Sequence, residues 1–170
     1  MKLKLIALAG VAALSLGGCA TVVNGVHQDL SFASDPDGAV VAMSTGQTCT
    51  TPCEYSLRRG HDLRVDFTKA GYKPEFVYVQ SRLAGSTFGN IILGGGIGAV
   101  VDGSNGSSNR LYPNPVSIRL VREGSAEQAV LLDEDGAVIS TVAEYNASVE
   151  ADVLEGMANR GQIESTHGDD

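Results

Sequence analysis

Two closely spaced cysteines are the residues of this chain most able to do chemistry. Cys49 and Cys53 lie in the stretch TCTTPC, residues 48–53. Such a pair can form a disulfide, bind a metal or cycle between thiol and disulfide. A metal site needs two further ligands, and the histidines show no ligand spacing; they are His27, His61 and His167. A redox pair favours C-x-x-C at a helix start, whereas this spacing is C-x-x-x-C in an expected turn.

The compartment decides between these chemistries, and the N-terminus has the pattern of an export signal. Lys2 and Lys4 precede an apolar run over residues 5–16, which is too short to span a bilayer. The run ends in LGGC, residues 16–19, a branched residue and two small ones before cysteine. This resembles the lipobox of bacterial lipoproteins.

The lipobox resemblance implies a signal peptide at residues 1–18 and a lipidated linker at residues 19–25. Fatty acids such as palmitate would be attached at Cys19. Each buried CH₂ contributes about 0.8 kcal/mol, so several acyl chains hold a protein firmly on the membrane. Ala20 follows the cysteine, which in the enterobacterial sorting rule directs a lipoprotein to the outer membrane, facing the periplasm.

Export also bears on the cysteine pair, because exported thiols meet an oxidising compartment. With Cys19 lipidated, Cys49 and Cys53 remain as an even pair. We therefore expect a disulfide between Cys49 and Cys53, with a free or metal-bound pair as the alternative.

The charge of the chain is concentrated in its C-terminal third. Residues 19–121 carry 8 acidic and 8 basic side chains, whereas residues 122–170 carry 12 acidic and 2 basic ones. No basic stripe is present, so nucleic acid is not an expected partner. The pattern indicates a neutral globular part followed by an acidic, more soluble one.

Alternating apolar residues predict a mainly β fold. Leu63, Val65 and Phe67 share one face of residues 61–68, the clearest period-two segment in the chain. The other predicted strands are residues 26–33, 39–43, 53–57, 75–83 and 116–121. Short strands separated by turn signals indicate a small β-sandwich over residues 26–121.

Four spaced motifs within residues 31–79 resemble the PEGA domain. PDGA at residues 36–39 is similar to its P-E-G-A signature, and TP at residues 51–52 is similar to its T-P. Residues 57–60 match L-x-x-G, and KAGYKP at residues 69–74 looks like its K-x-G-Y-x-P. The resemblance implies a small β-sandwich module of cell-envelope proteins, with no catalytic residues to carry over.

Two tyrosines within the resembling region are candidate binding residues. Tyr55 follows the cysteine pair, and Tyr72 lies in the KAGYKP motif. An aromatic ring at such a position either packs over the sheet or stacks on a sugar. We retain both tyrosines as possible contacts to an envelope glycan.

A glycine-rich apolar segment interrupts the predicted sandwich at residues 85–106. Its glycines recur in small-x-x-x-small spacings that let helices approach closely. Three interpretations stay open: a hairpin or loop packed on the sandwich, an element dipping into the membrane, or a self-association face. A phosphate loop is disfavoured, since no Lys followed by Ser or Thr comes after the glycines.

The acidic region, residues 122–161, is predicted to form a hairpin and an amphipathic helix. Residues 135–136 are a turn signal between two apolar runs. A capping box of Thr141 and Glu144 begins a helix over residues 141–159. Its apolar face either packs on the sandwich or docks a partner, and residues 162–170 are expected to be a disordered tail.

The sequence lacks recognisable catalytic or metal-binding motifs. The acidic turn at residues 133–135 does not have the spacing of a calcium loop. We therefore expect no enzymatic activity, no catalytic residues, no metal and no cofactor. The expected function is that of a lipid-anchored envelope protein that contacts an envelope protein or peptidoglycan. The alternative is a self-assembling or membrane-perturbing lipoprotein, a homo-oligomer formed through residues 85–106.

Overall fold

The computed structural model describes residues 25–83 and 109–161. The predictions for residues 1–18, Cys19, most of the linker, the glycine-rich segment and the tail at 162–170 lie outside these residues. Within the described residues, no helix combines the length and the apolarity needed to cross a bilayer.

Ten strands and one helix make up the described fold. The strands are β1 (His27–Asp35), β2 (Val40–Met43), β3 (Thr48–Thr50), β4 (Cys53–Arg58), β5 (Leu63–Thr68), β6 (Glu75–Leu83), β7 (Asn109–Tyr112), β8 (Val116–Arg119), β9 (Val130–Leu132) and β10 (Val138–Thr141). The helix is α1 (Val142–Ala158). The first sheet has the order β10-β9-β8-β1-β4, and the second has the order β3-β2-β5-β6-β7. The prediction of a mainly β, two-sheet sandwich with a C-terminal helix is confirmed.

The core lies between the two sheets, where alternate residues of each strand meet. On β5, Leu63, Val65 and Phe67 are at most 1% exposed, as their alternation predicts. The other strands of both sheets contribute further residues to this core, including Leu30, Phe32, Val41, Val77, Val79, Val116 and Ile118. The period-two pattern therefore sets both the strand positions and the face that each strand buries.

Two strands, β3 and β7, were not predicted. Strand β3 corrects the expectation that the cysteine pair lies in a turn. Cys49 lies in β3 and pairs with Val41 of β2, and Cys53 begins β4. The pair thus spans two strands and the two residues between them, rather than lying within a turn. The other missed strand, β7, holds a single fully buried apolar residue, Leu111. Strands this short and polar show no alternation to detect.

The acidic region is joined to the sandwich rather than set apart from it. Strands β9 and β10 extend the first sheet beyond β8, and Gly136 has a φ of 79° in the turn between them. The predicted capping box is present: Thr141 Oγ1 accepts the Glu144 amide at 3.1 Å, and the Glu144 carboxylate accepts the Thr141 amide at 3.2 Å. Helix α1 then packs mainly against β6 of the second sheet.

The apolar face of α1 is buried in this chain, so it is not available to a partner. Its members are Val142, Tyr145, Val149, Val153 and Met157, all at most 3% exposed. Burying a side chain of this size stabilises a fold by about 1.5–3 kcal/mol relative to exposure. Of the two interpretations of this face, packing on the sandwich is the one that the structure shows.

Helix α1 also completes the hydrogen bonding of a strand edge. Strand β7 pairs with β6 only from Gln80 to Leu83, which leaves the earlier half of β6 without a neighbour on that side. There Asn146 Oδ1 accepts the Tyr78 amide at 3.0 Å, and Asn146 Nδ2 donates to the Phe76 carbonyl at 2.8 Å. The asparagine amide thus takes the place of a strand, which protects an edge that would otherwise pair with another chain.

Candidate functional site

Three of the four sequence motifs meet at one end of the sandwich, around the side chain of Thr51. Thr51 Oγ1 accepts the amides of Gly38 and Ala39 at 3.1 and 2.9 Å. The Thr51 amide in turn donates to the Ala39 carbonyl at 2.9 Å. These bonds fasten the PDGA turn to the TP crossover. We call this end of the molecule the motif end.

The KAGYKP loop joins the same cluster from the second sheet. Lys69 Nζ donates to the Asp37 carbonyl at 2.8 Å, which connects this loop to the PDGA turn. Gly71 has a φ of 78°, a conformation that favours glycine, and it lets the chain reverse before β6. The Lys73 amide donates to the Val121 carbonyl at 2.8 Å, so the loop is held from both sides.

A shallow groove of about 360 Å³ opens between these two loops. Its lining residues are Gly38, Val40, Thr68, Lys69, Ala70, Tyr72 and Pro74. Val40 is 49% exposed here, a large value for a valine on a strand. An aromatic ring, a hydroxyl and an ammonium group thus line one depression, and together they can stack on a sugar, donate hydrogen bonds to it and pair with its carboxylate.

Tyr72 is the predicted binding residue that lies in this groove. Its backbone forms an isolated bridge with Arg122. The Arg122 guanidinium lies over the Tyr72 ring, with its Cζ atom 5.4 Å from the ring centroid. The attraction between the cation and the ring favours this position of the Tyr72 side chain.

Tyr55 lies elsewhere, on β4, and the structure does not bring the two tyrosines together in the groove. The Tyr55 hydroxyl donates to the Thr48 carbonyl of β3 at 2.9 Å. The half-buried ring packs against the core. Tyr55 therefore ties β4 to β3, and this contact accounts for its position without a ligand.

The disulfide expected between Cys49 and Cys53 is present, with the sulfur atoms 2.04 Å apart. It joins β3, the edge of the second sheet, to β4, the edge of the first sheet. Thr51 lies inside the loop that the disulfide closes. The disulfide thus holds in place the crossover that carries the buried threonine of the motif end.

A second depression of about 360 Å³ lies beside the acidic turn at residues 133–135. The Asp133 carboxylate is already used there, because its Oδ1 atom accepts the amides of Asp135 and Ala137 at 3.0 and 2.8 Å. In residues 25–83 and 109–161, no group of three or more His, Cys, Asp or Glu side chains could hold a metal ion. The groove at the motif end is therefore the better candidate site.

Sequence reasoning missed the roles of Thr51 and Asn146. Thr51 carried a signal, since a threonine before proline at the crossover is the residue that both turns need. Asn146 also carried one, because it is a polar residue beside Tyr145 on the helix face that packs inward. Neither signal states which backbone groups the side chain would satisfy.

Comparisons with known proteins give no relative for this chain: no family model, no curated protein and no solved structure matches it.

Proposed function

We propose that this chain is a non-enzymatic, lipid-anchored protein of the bacterial cell envelope, with a PEGA-type sandwich that binds an envelope component. The observation that carries the binding role is the groove at the motif end. Lys69 links its two loops, Thr51 fixes the PDGA turn to the TP crossover, and the groove presents the Tyr72 ring. A fixed groove needs little ordering when a ligand binds, which favours affinity.

The proposed ligand is the glycan of peptidoglycan, and a protein of the envelope is the other candidate. Glycan rings stack on aromatic side chains through their C–H faces, which suits Tyr72. The carboxylates of peptidoglycan suit the ammonium of Lys69, which has donor capacity beyond its bond to the Asp37 carbonyl. The groove is open and shallow, as binding to a polymer requires.

Cosedimentation with purified peptidoglycan tests the binding role. We expect Tyr72→Ala to abolish retention, because it removes the ring from the groove. Tyr55→Phe is the matched control, since it alters a tyrosine outside the groove and keeps the ring. Equal retention of wild type and Tyr72→Ala, with both folded, would remove the groove from the proposal. Capture of one envelope protein in place of peptidoglycan would favour the other candidate ligand.

The anchor rests on the LGGC motif, and metabolic labelling tests it. Cells fed an alkyne analogue of palmitate should label the wild-type chain. Cys19→Ser should remove the label, and Cys49→Ser should retain it, since the cysteine of β3 is not a lipid acceptor. Label on the Cys19→Ser variant would refute acylation at this position.

A second candidate function is self-assembly or membrane perturbation through residues 85–106. The observation that favours it is the pairing of Leu83 with Asn109, because this pairing closes the β6–β7 ladder without residues 85–106. A short turn can therefore replace residues 85–106 without removing a described strand. Loss of oligomers in that deletion variant, with an unchanged circular dichroism spectrum, would support assembly. An unchanged oligomeric state would count against it.

A further inference from the structure

The end of the sandwich opposite the motif end collects four parts of the chain. The first strand begins there, at His27, which pairs with Arg58 at the end of β4. The turn between β4 and β5 lies beside them. The last residue of β6, Leu83, pairs there with the first residue of β7, Asn109. We call this end the basic end, for the charges described below.

Ser81 of β6 joins three of these parts by hydrogen bonds, and Arg59 Nε connects the start of β1 by donating to the His27 carbonyl at 2.8 Å. The Ser81 amide donates to Asp62 Oδ1 at 2.7 Å, and the Ser81 hydroxyl donates to the Arg59 carbonyl at 2.6 Å. Asn109 Nδ2 donates to the same hydroxyl at 2.8 Å. Arg160, just beyond α1, forms an ion pair with the Asp62 carboxylate. The basic end is therefore a single connected surface rather than a set of independent loops.

The charge of this surface is positive. The arginines of this end that lie outside the core are Arg58, Arg59, Arg110 and Arg160, against three carboxylates at or next to it: Asp29, Asp62 and Glu155. Asp62 is 6% exposed and paired, so it presents no charge to the outside. The exposed arginines Arg58 and Arg110 form none of the ion pairs found among the described residues.

The electrostatic environment of His61 agrees with the positive charge of this surface. Burial lowers the pKa of His61 in the turn between β4 and β5, and nearby positive charges lower it further. Those charges belong to Arg160, Arg58 and His27. Groups from three chain segments therefore act on one imidazole, as expected if they share one surface.

The distance from the lipidation site fixes which end of the sandwich is near the membrane. His27 lies eight positions after Cys19, and eight residue-to-residue steps span at most about 29 Å when fully extended. Strand β1 has nine residues, about 30 Å at 3.3 Å per residue, and it runs from the basic end to the motif end. The basic end can thus reach the headgroups with a relaxed linker, whereas the motif end would require a nearly straight one.

We propose that the basic end, through Arg58 and Arg110, docks on the phosphate groups of the membrane that holds Cys19. This surface rests on the proposed function, because it requires the lipid anchor. Charge complementarity selects the partner: guanidinium groups pair with phosphate oxygens, and anionic lipids attract basic surfaces close to the bilayer. Docking directs the groove of the motif end away from the membrane.

Chemical modification of arginines in membrane-bound protein tests the proposal. Full-length protein, purified in detergent from the cells that produce it, is reconstituted into vesicles of phosphatidylethanolamine and phosphatidylglycerol, and separately into vesicles of phosphatidylcholine alone. Phenylglyoxal modifies accessible guanidinium groups, and mass spectrometry gives a rate for each arginine. Arg119, near the motif end, is the internal control, because its side chain is half exposed.

We expect Arg58 and Arg110 to react more slowly on anionic vesicles than on phosphatidylcholine, and Arg119 to react equally on both. An arginine near an anionic surface contributes roughly fivefold to binding, so two contribute at most roughly 25-fold. Arg58→Gln should reduce the protection of Arg110 by roughly fivefold, whereas Arg119→Gln should leave it unchanged. High salt should remove the protection, because it screens exposed charges.

Two failures are distinguishable in this experiment. Protein that does not float with either vesicle refutes the lipid anchor and, with it, the proposed function. Protein that floats, yet shows the same Arg58 and Arg110 rates on both vesicles, overturns the docking surface and leaves the anchor intact. Equal protection of Arg119 on anionic vesicles would also overturn it, since docking would then not be specific to the basic end.

Discussion

Asn146 offers the sharpest test of how the helix stabilises the sandwich. Its amide serves two backbone groups of β6, the Tyr78 N–H and the Phe76 carbonyl, and the residue is 8% exposed. Asn146→Ala removes both partners. A buried backbone group left without a partner costs about 1–3 kcal/mol. Since the bond to the Phe76 carbonyl is only partly buried, we expect Asn146→Ala to lower the free energy of unfolding by about 2–4 kcal/mol.

Urea unfolding, followed by circular dichroism, measures this loss. The midpoint should fall while the slope of the transition is unchanged, because the surface exposed on unfolding is the same. Asn159→Ala is the matched control, since Asn159 is exposed at the C-cap of α1 and serves no strand. A loss below about 0.5 kcal/mol for Asn146→Ala, the range of an ordinary surface substitution, would refute the reasoning.

The same variant should also aggregate more readily than the wild type. With Asn146 removed, the edge of β6 at residues 76–79 has free N–H and C=O groups, and its sequence, FVYV, favours strand pairing. Light scattering on incubation below the unfolding temperature measures this. If Asn146→Ala is destabilised and yet stays monomeric, α1 protects the edge by its bulk rather than by its hydrogen bonds.

Three further predictions concern other contacts of the described residues. Thr51→Val keeps the shape of the side chain but leaves the Ala39 amide unsatisfied, so thermal unfolding should show a loss of about 1–3 kcal/mol, whereas Thr51→Ser should stay near wild type. Gly156→Ala gains helix propensity, but the new Cβ would lie 2.9 Å from Asp62 Cγ. Calorimetry should therefore show a net loss of stability of about 1–3 kcal/mol. A gain in stability would show that the helix shifts freely. The pKa of Glu144 is lowered below its ordinary 4.5 by hydrogen bonds from the Thr141 side chain and, to a smaller extent, from the Thr141 backbone. These bonds therefore stabilise the fold fully above pH 4.5, and their contribution is lost as the pH falls through the lowered pKa of the folded state. Glu144→Gln should remove this part of the dependence of the melting temperature on pH, and an unchanged acid limb would count against the capping box.

The sequence was sufficient where one physical signal dominated. Strand β6 has the predicted bounds, because its run of aromatic and β-branched residues favours strand pairing. Helix α1 begins at its predicted capping box, since Thr141 and Glu144 satisfy the first amides locally. Such signals depend only on neighbours in the chain, so they can be read without knowledge of the fold.

The remaining features depend on contacts between distant residues, which the sequence does not display. Thr51 contacts Ala39 across 12 positions, and Asn146 contacts Tyr78 across 68. The separation of Tyr55 from Tyr72 likewise follows from the sheet order, which places β4 and the loop before β6 in different sheets. The spacing of the sequence did not distinguish the two tyrosines as binding residues, whereas the topology places Tyr72, and not Tyr55, in the groove.

The two ends of the sandwich predict separable effects of the linker. Because β1 places the groove about 30 Å from the basic end, docking at Arg58 and Arg110 does not cover Tyr72. Inserting a flexible Gly-Ser stretch between Cys19 and Gly25 lowers the effective concentration of the basic end at the membrane, because a longer flexible tether spreads its end over a larger volume. The phenylglyoxal protection of the two arginines should therefore fall, while retention on peptidoglycan should stay the same. A loss of both would mean that binding and docking use one surface, which contradicts the placement of the groove at the motif end.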